Sequence, residues 1–279
     1  MKISALFGVS GKICAITGGA SGFGLALGRA MAMNGALVTL IDVNADGLKA
    51  VQSEFSGESL KVETAVADVT DKPAIQKAID GVVAAHGRLD VLFVNAGVTG
   101  GPGYLTLDGE RNADTQIENQ SNDLWDKVLA INLMGAVKTI QAGVPQMKKQ
   151  GGGRIIVTSS CSATKTEMFV GSGYVTSKAA LAHLIKQLAH ELAAFKITIN
   201  GIAPGPTATN IGGGRMKDPG RAAAFARYIP MERVGQPEDI IGAALFFASN
   251  ASHYVTGAEI LVDGGFVLGP SDSAVVSRN

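Results

Sequence analysis

The sequence predicts a single doubly wound α/β domain, in which helices cover both faces of a seven-stranded parallel sheet. Short apolar runs alternate with longer segments from end to end, a pattern typical of strands followed by crossover helices. The runs are almost purely apolar, as expected for parallel strands that are buried on both faces. In residues 173–194, Leu181, Ile185 and Leu188 recur at helical spacing. The predicted strands span 12–17, 37–42, 62–67, 91–95, 154–159, 197–202 and 260–263.

Length, composition and charge set limits on the class of protein. The 279 residues and the 46% hydrophobic content suit one large domain over residues 1–279. Lysine and arginine number 24, as do aspartate and glutamate, so no net charge attracts nucleic acid or an anionic membrane. No uninterrupted apolar stretch approaches the length of a membrane span. Cys14 and Cys161 do not resemble a disulfide framework, which favours a cytoplasmic protein. With the charge and the apolar pattern, we predict no nucleic-acid and no membrane partner.

Two long interruptions follow predicted strand ends. Residues 98–122 form a polar loop insertion, and residues 207–236 contain a glycine run and a short helical patch. Long insertions in compact domains are usually functional loops. Because ligands of open parallel sheets bind beyond the carboxyl ends of the strands, we predict a pocket wall at 98–122 and a substrate lid at 207–236. Surface decoration is the alternative for each segment.

A glycine-rich loop follows the first strand. Residues 17–24 read Thr-Gly-Gly-Ala-Ser-Gly-Phe-Gly and precede a helical pattern. Glycines permit a tight turn and let the backbone approach a pyrophosphate, which the free N–H groups of the helix N-terminus then bind. The strand–loop–helix context makes this a predicted dinucleotide site. Its candidate residues are Gly18, Ser21, Gly22, Phe23 and Gly24.

The second strand ends on a carboxylate that bears on the choice of cofactor. Asp42 lies 18 positions after Gly24, where an acidic residue can hydrogen-bond the ribose 2′-hydroxyl. The same charge repels a 2′-phosphate, and no arginine or lysine lies in 18–23 or 43–48. We therefore predict NAD rather than NADP. The alternative is that Asp42 or Asn44 only caps the next helix.

Polar residues also close the third and fourth strands. Asp68 and Val69 follow the third strand, and Asp68 is a candidate partner for the adenine amino group. Asn95, Ala96 and Gly97 end the fourth strand at the same edge of the sheet. For Asn95, cofactor contact and a structural role in bonding neighbouring backbone are equally good interpretations.

Tyr174 and Lys178 are the candidate reaction centre. They lie four positions apart at the start of a predicted helix and so share one of its faces. A nearby ammonium stabilises a phenolate and lowers the pKa of a tyrosine, which tunes it for acid/base work. Taken alone, the pair also fits a solvated helix face. Ser160, with Ser159 and Ser162 as rivals, closes the fifth strand, where a hydroxyl can hold a substrate oxygen.

Asn132 lies beside an apolar helical stripe. It follows Val128 and Leu129 at helical spacing, and a buried amide needs hydrogen-bond partners. The alternative to a functional role is a satisfied core asparagine. No metal site is predicted, because His183 and His190 share a helix face without further ligands at suitable spacing.

Taken together, these motifs resemble the short-chain dehydrogenase/reductase family, in the branch with subunits near this length. The resemblance covers nearly the whole chain and implies a Rossmann-type fold, and it usually goes with homotetramers. It rests on residues 17–24, Asn95-Ala96-Gly97, Asn132, Ser160, Tyr174-x-x-x-Lys178 and Pro204-Gly205.

The resemblance implies a role for each matching residue. Tyr174 is the proton donor or acceptor, and Lys178 lowers its pKa and binds the nicotinamide ribose. Ser160 hydrogen-bonds the reacting oxygen, and Asn132 anchors a water in a proton relay from Lys178. Asn95 lies by the cofactor ribose. The segment after Pro204 and Gly205 touches the carboxamide and phosphates, through Thr207 and Thr209.

The resulting hypothesis is an NAD-dependent oxidoreductase that interconverts a medium-sized, cyclic or aromatic, secondary alcohol and its ketone. An NADPH-dependent carbonyl or 3-oxoacyl-thioester reductase is the first alternative, and Asp42 argues against it. A dinucleotide-binding regulatory protein without catalysis is the second, and the intact catalytic set argues against it.

Overall fold

The computed structural model describes residues 2–271; residue 1 and residues 272–279 of the predicted domain lie outside the described part. One sheet contains all of its named strands, and they begin and end close to the predicted positions. The sixth strand runs further than predicted, to Pro204. The strands are β1 (Ile13–Thr17), β2 (Leu37–Asp42), β3 (Val62–Val66), β4 (Val91–Val94), β5 (Gly153–Thr158), β6 (Ile197–Pro204) and β7 (Glu259–Val262).

The sheet order is β3-β2-β1-β4-β5-β6-β7, and every pairing is parallel. The chain winds outward from β1 to β3, then crosses over to β4 and winds in the other direction. Cys14 of β1 pairs with Val38 on one side and with Val91 on the other. The predicted fold class is therefore confirmed, and the switch point between β1 and β4 is the expected ligand crevice.

Helices cover both faces of the sheet. One core contains Leu27, Val51 and Phe247 from helices on the first face, and the other contains Ile79 and Leu181 from helices on the second. The α-helices are α1 (Ile3–Leu6), α2 (Gly22–Met33), α3 (Ala45–Gly57), α4 (Lys72–His86), α5 (Asn122–Leu129), α6 (Gly135–Lys149), α7 (Ser172–Leu192), α8 (Pro219–Ala226) and α9 (Ile241–Ala248). Short 3₁₀ segments include Cys161–Ala163, Ile211–Lys217 and Pro237–Ile240.

A π-helical turn, Ala130–Met134, joins α5 to α6 in one continuous helical run, Asn122–Lys149. Within residues 2–271, this run alone is long and apolar enough to pass a test for a membrane-spanning helix by length and composition. Core helices of soluble proteins pass the same test. In this run Ile140, Ala142 and Met147 are buried in the core against the sheet.

Candidate active site

A cleft of about 450 Å³ opens at the carboxyl ends of β1 and β4, where the strand order reverses. It is framed by the glycine loop, the ends of β2 and β3, and the start of the 207–236 segment. Most of the residues predicted to bind a cofactor line this one cleft. They are Gly18, Ser21, Gly22, Phe23, Asp42, Asp68, Val69, Asn95, Ala96, Gly97 and Thr209.

The glycine loop has a shape that strongly favours glycine at several positions. Gly18 and Gly22 have φ of +69° and +53°, in the left-handed region that favours glycine. A Cβ atom on Gly24 would lie 2.0 Å from the carbonyl oxygen of Gly18, so the first turn of α2 packs directly on the loop. The N-terminus of α2 consequently faces the cleft with free backbone N–H groups, as a pyrophosphate requires.

Asp42 lies on the rim of the cleft. One carboxylate oxygen accepts a hydrogen bond from the Ala20 amide at 3.0 Å, and the other accepts from the Asn44 amide at 3.0 Å. Asn44 itself caps α3, because its side chain accepts from the Gly47 amide at 3.0 Å. Asp42 is thus not the helix cap. Among the described residues that line the cleft there is no arginine or lysine.

Asn95 has the structural role that the sequence left open. Its Nδ2 donates to the Thr17 carbonyl at 3.0 Å, and its Oδ1 accepts from the Thr158 hydroxyl at 3.0 Å. These bonds tie the end of β4 to β1 on one side and to β5 on the other. Asn95 also lines the cleft, so the structural role and cofactor contact are compatible.

Some predicted cofactor residues lie outside the cleft. Gly24 packs behind the glycine loop, Pro204 ends β6, and Gly205 and Thr207 line a second pocket. Sequence reasoning also missed part of the lining. Val98 and Thr99 directly follow the Asn-Ala-Gly turn, so their position at a strand end was the available signal. The missed residues are Ile41, Val43, Ala67, Val98, Thr99, Ile131, Asn210, Ile211 and Gly212.

The second pocket, a cavity of about 130 Å³, adjoins the cleft. Thr99, Ile211 and Gly212 line both, so a molecule in the pocket would lie next to a ligand in the cleft. Ser160 and Tyr174 form part of the pocket wall. The candidate reaction centre therefore lies in the pocket that adjoins the cleft.

Burial and a neighbouring hydroxyl shift the pKa of Tyr174 in opposite directions. Burial raises the pKa of Tyr174 to about 12, and a hydrogen bond with Ser160 lowers it. The lowering of this pKa by Lys178, which the resemblance implies, stays a prediction for Lys178. Its Nζ lies 5.7 Å from the centre of the Tyr174 ring and donates instead to the Thr158 carbonyl at 2.8 Å. Burial also lowers the pKa of Lys178 itself to about 8.

Asn132 is buried in the π-helical turn. Its Oδ1 accepts from the Val98 amide at 2.8 Å, and its Nδ2 donates to the Val98 carbonyl at 2.9 Å and to the Ser177 hydroxyl at 3.1 Å. These bonds satisfy the amide in the core and let it hold Val98 in the wall of the cleft, while its catalytic role stays a prediction. A Cβ on Gly97 would lie 3.3 Å from this Oδ1 and 3.7 Å from the Lys178 ammonium, so both groups converge on one point.

The three rival serines are separated by their contacts. Ser159 accepts a hydrogen bond from the Ser160 amide at 2.5 Å and is not among the residues lining the pocket. Ser160 donates to the Ser162 hydroxyl at 3.1 Å, and Ser162 in turn donates to a carboxylate oxygen of Glu167 at 3.4 Å. Of these serines, Ser160 is the one whose hydroxyl lowers the pKa of Tyr174.

Glu167 is a pocket residue that sequence reasoning missed. Burial raises its pKa from 4.5 to about 7, although hydrogen bonds from Cys161 and Ser162 lower it. The Cys161 thiol lies 3.6 Å from the carboxylate, and burial raises its pKa to about 12. No motif marks this glutamate, because only folding brings residues 161–167 against Tyr174. Across residues 2–271, no cluster of three or more metal-ligating side chains occurs.

Comparison with known proteins identifies the family. A family model described as enoyl-(acyl carrier protein) reductase matches residues 18–267. A 3-oxoacyl-[acyl-carrier-protein] reductase of Thermotoga maritima is 35% identical over 93% of this chain and 99% of its own. The chain belongs to the short-chain dehydrogenase/reductase family.

Other relatives show the range of this family. A cyclohexanol dehydrogenase of Rhodococcus sp. is 35% identical over 91% of this chain and 96% of its own. The crystal structure of a gluconate 5-dehydrogenase from Burkholderia cenocepacia, in complex with NADP and tartrate, has a TM-score of 0.83 at 29% identity and covers 95% of this chain and 98% of its own. The chain is thus an oxidoreductase of the short-chain family acting on CH–OH groups, as predicted.

Proposed function

We propose that this short-chain dehydrogenase/reductase is NAD-dependent and interconverts a medium-sized, cyclic or aromatic, secondary alcohol and its ketone. The observation that carries the proposal is that Tyr174 and Ser160 both line the pocket that adjoins the cleft, with Ser160 lowering the pKa of the Tyr174 phenol. A substrate oxygen held by these two hydroxyls has its carbinol carbon directed toward the cleft.

In the proposed reaction, each residue of the site has a separate role. A bound nicotinamide supplies or accepts the hydride. Ser160 donates a hydrogen bond to the substrate oxygen and orients it. Tyr174 protonates that oxygen when a ketone is reduced, and its phenolate removes the hydroxyl proton when an alcohol is oxidised. Lys178 and Asn132 converge on Gly97, where a water can pass the proton from Tyr174 to solvent.

Phenolate formation needs a positive charge, because burial raises the Tyr174 pKa to about 12. Lys178, with a pKa lowered to about 8, retains its proton at neutral pH. We infer that the positive field reaching Tyr174 grows when an oxidised nicotinamide is held in the cleft. Residues 18–24, Asp42, Asp68 and Asn95 are the proposed holders of this cofactor.

The preference for NAD rests on Asp42 and on the absence of arginine and lysine from the described cleft lining. The test compares kcat/KM with NAD and with NADP for the wild type and for Asp42→Ala. We expect the wild type to prefer NAD, and the variant to lose activity with NAD but not with NADP. An unchanged preference would contradict the assignment.

The acid/base role is tested by Tyr174→Phe, which removes the proton and leaves the ring. We expect turnover to fall by at least about 100-fold, the lower end of general acid–base contributions, with cofactor affinity unchanged. Cyclic and aromatic secondary alcohols form the screening panel, read at the nicotinamide absorbance. Normal turnover by the variant would exclude the proposed mechanism.

The ring-shaped substrate is supported by the pocket wall. Phe169 and Phe225 meet edge to face at 5.4 Å and line the pocket with Met216. Relatives that include a cyclohexanol dehydrogenase also support it. The second candidate function is an NADPH-dependent carbonyl or 3-oxoacyl-thioester reductase, favoured by the 3-oxoacyl reductase relative and by the NADP-bound neighbour. Comparison of kcat/KM with NAD and with NADP distinguishes these two candidate functions. A non-catalytic regulatory protein is the third and least supported hypothesis.

We further propose a homotetramer in the cytoplasm, with the 207–236 segment as the substrate lid. The two cysteines are free and buried, which suits a reducing compartment. Leu124 of α5, 40% exposed, and the exposed Met134 are apolar surface that a subunit contact through α5 and α7 would cover. Sedimentation velocity tests the assembly, and a monomer at micromolar concentration would refute it.

A further inference from the structure

Two guanidinium groups line the substrate pocket, and both come from the 207–236 segment. Arg215 lies in the 3₁₀ segment Ile211–Lys217, and Arg221 lies in the first turn of α8. Both are partly buried, and both line the cavity that Tyr174 also lines. A cavity of about 130 Å³ therefore has two positive charges and one candidate acid/base group on its walls.

Neither arginine has a counter-ion in the part of the chain that the structure describes. In residues 2–271, no side chain or carbonyl accepts a hydrogen bond from either guanidinium, and no carboxylate forms an ion pair with it. The Arg221 Nε is buried without a partner. A buried donor without a partner is costly, typically by about 1–3 kcal/mol, so such groups usually have a ligand to satisfy them.

The pairing of other arginines makes this exception informative. Arg29 contacts Glu54 and Glu58, Arg88 contacts Asp90, and Arg233 contacts Asp239. At the pocket, the chain instead places two like charges near each other: burial, and then the charge of Arg221, lower the pKa of Arg215.

The fold holds both arginines in place. Asp218 caps α8 by accepting a hydrogen bond from the Arg221 amide at 2.8 Å, so this carboxylate serves the backbone. Before it, Gly212, Gly213 and Gly214 have φ of +63°, +75° and +73°, which coils the segment back on itself. The Arg215 side chain consequently folds back over Gly212, beside Thr99 at the boundary with the cofactor cleft.

We propose that Arg215 and Arg221 bind a carboxylate of the substrate, which makes the substrate a hydroxy acid and its product the matching oxo acid. Guanidinium groups bind carboxylates through paired, charge-assisted hydrogen bonds, and this would satisfy the buried donor. This inference rests on the proposed dehydrogenase function and narrows its substrate class.

The remaining charge in the pocket orients such a substrate. Glu167 lies in the hydrogen-bonded series with Ser160 and Ser162, at the Tyr174 end. The charge of Lys165 lowers the pKa of Glu167, but the Lys165 ammonium donates its hydrogen bond to the Phe266 carbonyl at 2.6 Å. A substrate carboxylate is repelled from Glu167 and attracted to the two arginines. The alcohol carbon is then directed to Tyr174, with only a few bonds between the two ends in so small a cavity.

The test uses two probes that differ only in charge, 3-hydroxycyclohexane-1-carboxylate and 3-hydroxycyclohexane-1-carboxamide, each oxidised with NAD. The variants are Arg215→Met, Arg221→Met and the double variant. Lys217→Met is the matched control, since among the described residues this exposed cation of the 207–236 segment hydrogen-bonds only the Asn210 side chain. We expect the wild type to prefer the carboxylate. Each arginine variant should lower kcat/KM for it roughly 10- to 100-fold, mainly through KM, with the amide and the control unaffected.

Three outcomes would overturn the inference. In the first, the wild type has the same kcat/KM for both probes. In the second, kcat/KM of the arginine variants falls equally for both probes. In the third, the arginine variants bind NAD more weakly. The last two results would mean that the arginines hold the lid or the cofactor.

Binding of cyclohexanecarboxylate, measured by calorimetry with and without NAD, gives a readout that does not need turnover. Loss of this binding in the arginine variants supports the carboxylate site even if the proposed dehydrogenase activity fails. The contrary result is an enzyme that oxidises cyclohexanol, oxidises neither the carboxylate nor the amide probe, and fails to bind cyclohexanecarboxylate. That result would support the dehydrogenase activity and refute the carboxylate site.

Discussion

We expect the buried Glu167 to make the stability of the folded protein depend on pH, and Glu167→Gln should remove the part of this dependence that Glu167 causes. The carboxyl is largely buried beside Ser162 and Cys161, and burial raises its pKa from 4.5 to about 7. A glutamine of the same size keeps an oxygen that accepts from Ser162 but carries no charge to desolvate. The variant therefore isolates the cost of holding a carboxylate in the pocket.

The raised pKa of Glu167 fixes the direction and the size of the change in stability with pH. A raised pKa means that the folded protein binds the proton more tightly than the unfolded chain does. Its stabilising effect is fully present below pH 4.5 and is lost as the pH rises through 7. The full shift corresponds to roughly 3 kcal/mol, of which about 2.5 kcal/mol falls between pH 5 and pH 8.5.

The assay is urea unfolding of wild type and Glu167→Gln at one protein concentration, from pH 5 to pH 8.5. We expect the stability of the variant relative to the wild type to rise by roughly 2.5 kcal/mol over this range. Glu118→Gln, at an exposed carboxylate, corrects for the general effect of removing one negative charge. A relative stability that stays flat with pH would refute the argument that burial dominates at Glu167.

Two further substitutions test the scaffold of the site. Gly24→Ala should weaken NAD binding at least about tenfold, since its Cβ would meet the Gly18 carbonyl oxygen at 2.0 Å. Gly81→Ala, in α4 with nothing within 4 Å of its Cβ, should leave binding unchanged and stabilise the fold by up to about 1 kcal/mol; equal effects of the two would contradict the close packing. Asn132→Leu should cost about 3 kcal/mol of unfolding free energy, because it leaves the Val98 backbone without its partners; a loss below about 1 kcal/mol would show that the π-helical turn does not depend on this amide.

The elements that follow local rules could be predicted from the sequence. The apolar runs predicted the parallel strands, because a strand buried on both faces has nowhere to place polar side chains. The glycine loop was legible because positive φ and a 2.0 Å approach between Gly24 and Gly18 leave glycine as the residue that fits. Asn95 and Tyr174 were found by their places at a strand end and at a helix start.

Asn132 shows where local rules stop. Regular helical spacing placed it beside an apolar stripe, but a π-helical turn changes the phase of the helix at that residue. Its contacts with Val98 and Ser177 join segments 34 and 45 residues away, so no local pattern could specify them.

The sequence by itself predicted the fold class, most of the cleft lining and a candidate acid/base group, because each depends on patterns within one strand, loop or helix. Only the tertiary structure decided the charge in the substrate pocket. Arg215, Arg221 and Glu167 come from two separate segments with no shared motif. Burial, a property of the assembled core, shifts the pKa of Tyr174 and of Glu167. Desolvation and the lack of a counter-ion exist only once distant segments have packed together.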